Sequence, residues 1–255
     1  MPPFPKPRFA YTLDLAAEKR RLRAHKKKRG VPARGEDHLL VATWNIANLG
    51  VQQRTEEHYQ LLAEMVSWFD LVAVQEVNGD LAGLRGIQRH LPKHYAAVFT
   101  DAGGNNERSC FLYDAGTLAL LELVGEVAVP PSDNAQIKLP GVTRPFTGFD
   151  RNPFIASFGW RDRTFSMVTV HSFFGSDADA QDLERRALET FAVGRWADLE
   201  SRSRTAYSSD ILVMGDFNLP KVEAGDPVYY ALRKRGLQVP KHTSKVYSNI
   251  TDDKQ

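Results

Sequence analysis

The sequence has 255 residues, of which 42% are hydrophobic, which is enough for one globular domain with a large core. The absence of any apolar run of about 18 residues excludes a membrane-spanning helix, and the N-terminus lacks the apolar region of a secretory signal. The single cysteine, Cys110, excludes an internal disulfide framework and favours a reducing compartment, so we predict a cytoplasmic location.

Charge is distributed unevenly along the chain, although the formal net charge is only +2. Residues 1–34 carry eleven Lys or Arg and two Asp or Glu, and eight of the eleven residues from Lys19 to Arg29 are basic. We predict a Pro- and Lys/Arg-rich extension at residues 1–36, with a short helix over Leu15–Arg29. Two hypotheses stay open for it. It is an arm for phosphate backbones or anionic surfaces, or a solvated, partly helical tail, which we prefer at this point.

Residues 37–255 are predicted to form one domain that mixes helices and strands. In its first half, apolar runs and helical spacing predict a strand at Leu39–Ile46, a helix at Glu56–Phe69, a strand at Leu71–Val77, a weaker helix at Leu81–Leu91, and strands at Phe111–Leu112 and Leu118–Val129. In its second half, they predict a loop at Pro130–Phe149, a hairpin of Phe154–Trp160 and Thr164–His171, a helix at Ala180–Arg202, a buried strand at Ile211–Val213 and a helix from Asp226 to Arg235. The helix at Ala180–Arg202 would bury an apolar stripe from Leu183 to Leu199.

Polar side chains stand at the C-terminal ends of four predicted strands. Asn45, Glu76 and His171 each lie near the end of an apolar run, and Asp216 and Asn218 follow a fourth run. Because residues i and i+2 of a strand lie on one face, we predict that Asp216 and Asn218 point the same way. Each residue alone is most often a rim or core residue. Together they predict one site, since buried strands tolerate such groups only when they are satisfied.

The segments T-W-N-I, Q-E-V, T-V-H-S and G-D-F-N, in this order, resemble the motifs of the endonuclease/exonuclease/phosphatase superfamily. Two further segments fit, namely Glu107 ahead of an F-L-Y run and Arg151 in an R-x-P strand. The resemblance runs from about Leu39 to the end of the chain. It implies a four-layer α/β/β/α sandwich, in which two mixed β-sheets are packed face to face with helices outside.

The resemblance also implies a divalent-metal-dependent phosphoester hydrolase, most simply a phosphodiesterase or nuclease-like enzyme that uses metal-assisted attack of water on phosphorus. Glu76 would be the hard ligand for Mg²⁺ or Mn²⁺, because Mg²⁺ takes one or two carboxylates and keeps several waters. Asn45 would add a neutral oxygen or orient Glu76. Asp216 and Asn218 would position the nucleophile and a phosphate oxygen.

The remaining candidates concern the phosphate. His171 would contact it and would be oriented by Glu107, in the way a carboxylate fixes an imidazole tautomer. Arg151 would lie close to that pair or to the phosphate, or would form a salt bridge at a sheet edge, and the two alternatives stay level. The substrate stays open between nucleic acid, phosphoinositide, sphingomyelin and other phosphodiesters, and the oligomeric state is not predicted.

The sequence departs from the family pattern at its end. Members of the family close with a Y-D-x-I strand and an S-D-H turn, and neither follows before Gln255. His242, Asp252 and Asp253 do not stand in an S-D-H context. We therefore expect an incomplete site and missing C-terminal strands. One hypothesis is a fragment of a hydrolase, which the retained motifs favour, and the alternative is a catalytically inactive member that acts as a binding protein.

Overall fold

A computed structural model of the protein describes residues 10–240. His242, Asp252 and Asp253, as well as the first nine residues of the predicted extension, lie outside this range. Within it, no helix combines the length and the apolar character needed to cross a bilayer. The described part of the chain forms two four-stranded sheets flanked by helices, which confirms the predicted α/β fold class.

The elements follow the predicted order, with one addition. The helices are α1 (Leu15–Lys28), α2 (Glu56–Val66), α3 (Ala82–Gln88), α4 (Ala180–Ser201) and α5 (Pro227–Arg233). The strands are β1 (Val41–Leu49), β2 (Leu71–Asn78), β3 (Tyr95–Phe99), β4 (Glu107–Asp114), β5 (Ala119–Glu126), β6 (Phe154–Trp160), β7 (Arg163–His171) and β8 (Ile211–Asp216). Strand β3 is not predicted from sequence, because its five residues include two alanines and carry little strand signal.

The described residues form two compact units, of which the first comprises the chain up to residue 120 together with residues 159–161. Its sheet has the order β1-β2-β4-β3, in which β1 is parallel to β2, and β4 is antiparallel to β2 and β3. A hydrophobic core joins this sheet to α2 and α3 through residues such as Val66, Val74 and Leu84. Because β1 and β2 are parallel, their carboxyl ends meet at one edge of the sheet.

The second unit comprises the rest of the described residues and holds most of the sheet with the order β5-β6-β7-β8. Strands β7 and β8 are parallel and in register from Ser166 opposite Ile211 to His171 opposite Asp216. Helix α4 connects these two strands in sequence, and its Val193 belongs to the same core cluster as the β7 valines. The carboxyl ends of β7 and β8 therefore also meet at one sheet edge.

Burial differs between central and edge strands. Seven of the eight β2 residues are buried, and so are the last seven residues of β7. In β8, which is the last strand in its sheet within the described range, Leu212 is 42% exposed and none of the six residues is buried. The prediction that Ile211–Val213 is buried is therefore wrong, because an edge strand is covered by a neighbour on one side only.

Candidate functional site

The carboxyl ends of β1 and β2 hold the first group of candidate residues. The Asn45 amide nitrogen donates to one carboxylate oxygen of Glu76 at 2.7 Å, and the backbone N–H of Asn48 donates to the other at 2.7 Å. An ionised carboxylate only accepts hydrogen bonds, so Asn45 must present its NH₂ group to Glu76. Glu76 is 6% exposed. The structure thus brings together the two residues that the sequence nominates for a metal.

The backbone around this pair is locally irregular. The β1–β2 pairing shifts its register between Asn45 and Leu49, and Asn48 and Glu76 have φ angles of 51° and 59°. Positive φ is uncommon for residues other than glycine, and it persists where the surrounding structure over-determines it. The bonds from Asn45 and Asn48 to one carboxylate provide such a constraint.

Arg54 supports the same turn, although sequence reasoning does not single it out. Its guanidinium donates to the carbonyl oxygens of Ala47 at 2.8 Å, Asn48 at 3.3 Å and Ile46 at 3.4 Å. Burial lowers the pKa of Arg54, while the Glu76 carboxylate acts in the opposite direction. A guanidinium stays charged at neutral pH, so a fixed positive charge lies behind the turn.

Glu107 lies at the same edge of this sheet. It begins β4 opposite Asn78, which ends β2 two residues after Glu76, and it is 8% exposed. Because β2 and β4 are antiparallel, the start of β4 meets the carboxyl end of β2. The structure therefore puts Glu107 close in register to Glu76, whereas its role in orienting His171 stays a prediction.

The donor set at this edge fits a hard divalent cation. The two hydrogen bonds described above hold the Glu76 carboxylate at the strand end. Mg²⁺ needs only one or two carboxylates, because it keeps several of its waters. Among residues 10–240, His, Cys, Asp and Glu side chains form no group of three that could hold a metal. Glu76, with Asn45 beside it, is the candidate for a single-carboxylate site.

The carboxyl ends of β7 and β8 hold the second group of candidate residues. His171 ends β7 directly opposite Asp216, which ends β8. The backbone N–H of Ser172 donates to the carbonyl oxygen of Asp216 at 2.9 Å, which extends the pairing by one residue. His171 is 5% exposed. The parallel register therefore brings an imidazole and a carboxylate to adjoining strand ends.

Asn218 joins this group by a different route from the predicted one. Strand β8 ends at Asp216, and Asn218 has a φ of 49°, so strand alternation does not orient its side chain. Instead, its backbone N–H donates to Asp216 Oδ1 at 2.9 Å, and its Nδ2 donates to the Ser172 carbonyl at 2.8 Å. The prediction that Asp216 and Asn218 share a strand face is wrong. These two hydrogen bonds, rather than the pleat, hold the pair together.

Gly215 allows β8 to pair closely with β7. Its φ is 143°, a conformation that L side chains rarely adopt, and a Cβ atom at this position would overlap the backbone of Val170. Glycine is therefore required at Gly215 for both its backbone conformation and its lack of a side chain.

Replacing Gly215 by Ala should lower the free energy of unfolding by about 3 kcal/mol, from backbone strain combined with steric overlap. Urea denaturation measures this change. The control is Gly125→Ala in β5, where a Cβ atom would meet nothing within 4 Å, and the change there should stay within about 0.5 kcal/mol. Equal stability of the two variants would contradict the close approach of the strands.

A buried arginine on α4 ties together the segments that follow β7 and β8. Arg186 is fully buried, and its Nε donates to the Phe173 carbonyl at 3.1 Å. Its Nη1 donates at 2.7 Å both to the Asn218 carbonyl and to Asp177 Oδ1. Phe173 follows the end of β7, and Asn218 follows the end of β8. Arg186 therefore fixes the separation of the two chain segments that carry the candidate residues.

Glu189, one turn further along α4, holds the Phe173 segment as well and also the segment at Asp150. Its carboxylate accepts from the Phe173 N–H at 3.0 Å and from the Asp150 N–H at 3.1 Å. Burial raises the pKa of Glu189, while these hydrogen bonds and the nearby Arg185 act in the opposite direction. Arg185 also donates to Asp150 at 2.7 Å. The segment before β6 is thus tied through α4 to the segment after β7.

Arg151 takes part in this charged network. Its Nη1 donates to Asp150 Oδ2 at 3.1 Å, and the residue is 9% exposed. This ion pair just before β6 corresponds to the salt-bridge alternative, and the contact with phosphate stays a prediction. Arg54, Arg186 and Glu189 are the residues that sequence reasoning missed. Charged residues three positions apart on α4 are a weak signal, because solvated helices show the same pattern.

Comparison with known proteins gives one relative by sequence. A deoxyribonuclease from Thioalkalivibrio sp. (strain K90mix) is 30% identical over 199 residues, which cover 74% of this chain and 49% of that protein. The chain thus spans about half the length of this curated relative. No protein-family profile matches the chain.

Solved structures from Bacteroides thetaiotaomicron share the fold. An endonuclease/exonuclease/phosphatase family protein aligns with a TM-score of 0.50 at 20% identity, covering 78% of this chain and 67% of that one. A mannosyl-6-phosphatase from strain VPI-5482 aligns with a TM-score of 0.50 at 18% identity, covering 78% of this chain and 71% of the other. At these identities the likeness is one of fold.

Proposed function

We propose that this chain, which belongs to the endonuclease/exonuclease/phosphatase superfamily with its deoxyribonuclease-I-like fold, hydrolyses phosphoesters and acts on phosphodiester bonds of nucleic acid. The observation that carries the proposal is the parallel pairing of β7 with β8, which sets His171 opposite Asp216. An imidazole, a carboxylate and the Asn218 amide at adjoining strand ends suit the positioning of a phosphate and a water molecule.

Each of these three groups has a distinct task in the proposed reaction. The Asp216 carboxylate orients the attacking water and accepts its proton, while the ester P–O bond to the leaving group breaks and the departing oxygen takes a proton from solvent. The Asn218 amide has two N–H donors, of which one is used toward the Ser172 carbonyl, and the second serves a phosphate oxygen. His171 donates to another phosphate oxygen and thereby stabilises the negative charge that develops there.

A divalent cation completes the proposal. Glu76, oriented by Asn45, would hold Mg²⁺ or Mn²⁺, and Arg54 would keep the turn behind Glu76 in position. When bound, such an ion supplies neutralisation of phosphate charge and activation of water. Glu107 would orient His171, and Arg151 would lie close to that pair or to the phosphate. We assign the hydrolase domain to residues 37–255.

The choice of substrate rests on the sequence relative. That relative is named a deoxyribonuclease, so the phosphodiester of a nucleic acid is the first substrate to test. With Mg²⁺ or Mn²⁺, the protein should cleave a labelled oligonucleotide, and a chelator should stop the cleavage. Hydrolysis of a phosphoinositide or sphingomyelin instead would contradict nucleic acid as the substrate. Absence of any phosphoester hydrolysis would contradict the proposed activity and would favour the alternative of a binding protein.

Replacing Glu76 by Gln should weaken Mg²⁺ binding by at least about tenfold, because it removes the formal charge that we assign to the ligand set. Metal titration by calorimetry measures the affinity. The matched control is Glu57→Gln on α2, which removes an exposed carboxylate of the same unit and should leave the affinity unchanged. Asn45→Ala keeps the charge of Glu76 and should cause a smaller loss.

In Glu76→Gln, the new NH₂ group faces either the Asn48 N–H or the Asn45 amide nitrogen, and both of these are donors. Thermal melting of each variant therefore has to accompany the titration. A folded Glu76→Gln protein with unchanged Mg²⁺ affinity would refute the metal assignment. If Asp216→Asn abolished binding instead, the cation would belong to the second group of residues.

A further inference from the structure

Helix α1 is anchored on one side to the first unit. The Asp14 side chain caps its first turn by accepting from the Ala17 N–H at 3.0 Å. Arg23 forms two hydrogen bonds with Glu64 of α2, at 2.8 and 3.1 Å. These contacts hold the helix against the body of the unit. The segment is therefore helical, as predicted, and contacts α2, although none of its helix residues is buried.

The Lys26 ammonium adds to this attachment, since it lies 5.4 Å from the centroid of the Trp68 ring. Such cation–π contacts are worth about 0.5–1 kcal/mol at exposed sites. Together with the Arg23–Glu64 pair, it means that two cations of the helix are engaged inward. The other Lys and Arg side chains of α1 therefore lie at defined positions on the helix.

The opposite side of α1 carries an outer basic face, formed by the exposed residues Arg20, Arg21, Lys27 and Lys28. Arg20 and Lys27, like Arg21 and Lys28, are seven residues apart, so each pair lies on one line along the helix at a separation of about 10 Å. Arg21 forms an ion pair with Glu18. Within the described range, the other three cations have no ion-pair partner.

We propose that the outer basic face of α1 binds the phosphate backbone of a nucleic acid. Cations held within about one Debye length of each other repel one another and collect counterions. A polyanion that spans both lines of charge neutralises them and releases the counterions condensed on itself, which drives association. A docked helix also avoids most of the ordering entropy that a flexible arm would lose on binding.

Charge alone would also attract an anionic membrane, but the composition of this face favours nucleic acid. A helix that lies on a bilayer inserts Trp, Phe or Leu from one face into the lipid. The outer basic face has no such residue, and alanines such as Ala24 lie among its cations. The inference rests on the proposed function only for the choice of partner, because binding does not need hydrolysis.

The test compares two triple variants of the full chain that lose equal charge. One removes three cations from the outer basic face, Arg20→Gln, Lys27→Gln and Lys28→Gln. The control removes three exposed cations elsewhere, Lys93→Gln, Lys138→Gln and Arg204→Gln. Glutamine keeps a good helix propensity in α1. Fluorescence anisotropy of labelled single-stranded and duplex oligonucleotides is measured in a chelator, between about 50 and 200 mM salt.

The α1 variant should bind roughly 10–100-fold more weakly at 0.1 M salt, and its salt-dependence slope should fall by about 2–3, because each lost phosphate contact removes about 0.7–0.9 from the slope. The control should retain the slope of the unmodified protein. Equal slopes in the two triple variants would overturn the proposal.

A second experiment measures binding of the same variants to vesicles that contain phosphatidylserine. Loss of vesicle binding in the α1 variant, together with unchanged oligonucleotide binding, would overturn the nucleic-acid partner in favour of a membrane. Because all binding is measured without metal, an inactive protein would still show the α1 effect. Failure of the proposed hydrolysis and failure of this inference are therefore separate results.

Discussion

Replacing Asp216 by Asn is expected to slow metal-dependent hydrolysis of a phosphodiester by about 10²–10⁴-fold, the usual effect of losing a positioned proton acceptor. The substitution is nearly isosteric. Its amide oxygen still accepts the Asn218 N–H that Asp216 Oδ1 accepts at 2.9 Å, so the turn after β8 should persist. The substitution removes the negative charge of the Asp216 carboxylate and its ability to accept a proton. Steady-state kinetics on bis(p-nitrophenyl) phosphate at saturating Mg²⁺ should show the loss mainly in kcat.

The matched control for this variant is Asp210→Asn, just before the start of β8, where the exposed side chain lies six residues before the strand end. It removes an equal charge from the residue that precedes the same strand and should keep the original rate. If Asp216→Asn and Asp210→Asn hydrolysed the substrate equally fast, the carboxylate opposite His171 would have no part in the reaction. A drop confined to KM would make Asp216 a binding residue only.

Replacing Arg186 by Met is expected to lower the free energy of unfolding by about 2–4 kcal/mol, because the buried guanidinium is lost and the Phe173 and Asn218 carbonyls and the Asp177 carboxylate lose their donor. Met approximates the length of the side chain but has no N–H group. The Asp177 side chain is 35% exposed, so solvent compensates part of its loss. Urea denaturation measures the effect.

Arg186 should also affect the reaction, although it is a positioning residue. Its bonds to the Phe173 and Asn218 carbonyls set the spacing between the segments after β7 and β8. Below the unfolding temperature, kcat should therefore fall in Arg186→Met while Mg²⁺ affinity stays constant. Arg186→Lys keeps the charge with fewer fixed donors and should recover part of both losses.

The control is Arg202→Met, at the end of the same helix, where the arginine side chain is 66% exposed and pairs with Asp198. Exposed ion pairs contribute about 0–1 kcal/mol, so this variant should be close to the unmodified protein. An Arg186→Met protein with normal stability would show that water replaces the guanidinium, and a normal kcat in a stable variant would refute the positioning role.

Several parts of the fold and of the candidate site are readable from the sequence. Apolar runs identify strands because the pattern of a strand is visible within a few neighbouring residues. The polar residue near the end of each run marks the end of the strand. Asn45 and Glu76 are nominated in this way, and the hydrogen bond between them agrees with a shared site. His171 and Asp216 are likewise found opposite each other in the β7–β8 register.

Other features depend on contacts between residues that are far apart in the chain. Local patterns do not distinguish a central strand from an edge strand, so β8 is predicted to be buried although Leu212 is 42% exposed. Leu199 of the predicted stripe in α4 is likewise 43% exposed. Asn218 is oriented by its left-handed backbone and by the Ser172 carbonyl, which strand alternation does not anticipate.

By itself, the sequence determined the α/β class, the order of most elements and the residue types that bring chemistry to the strand ends, because these follow from local periodicity and from the cost of burying polar groups. Only the tertiary structure decided that Arg186 and Glu189 are buried and that α1 is docked. A charged side chain is buried when distant partners satisfy it, and those partners become neighbours only when the chain has folded.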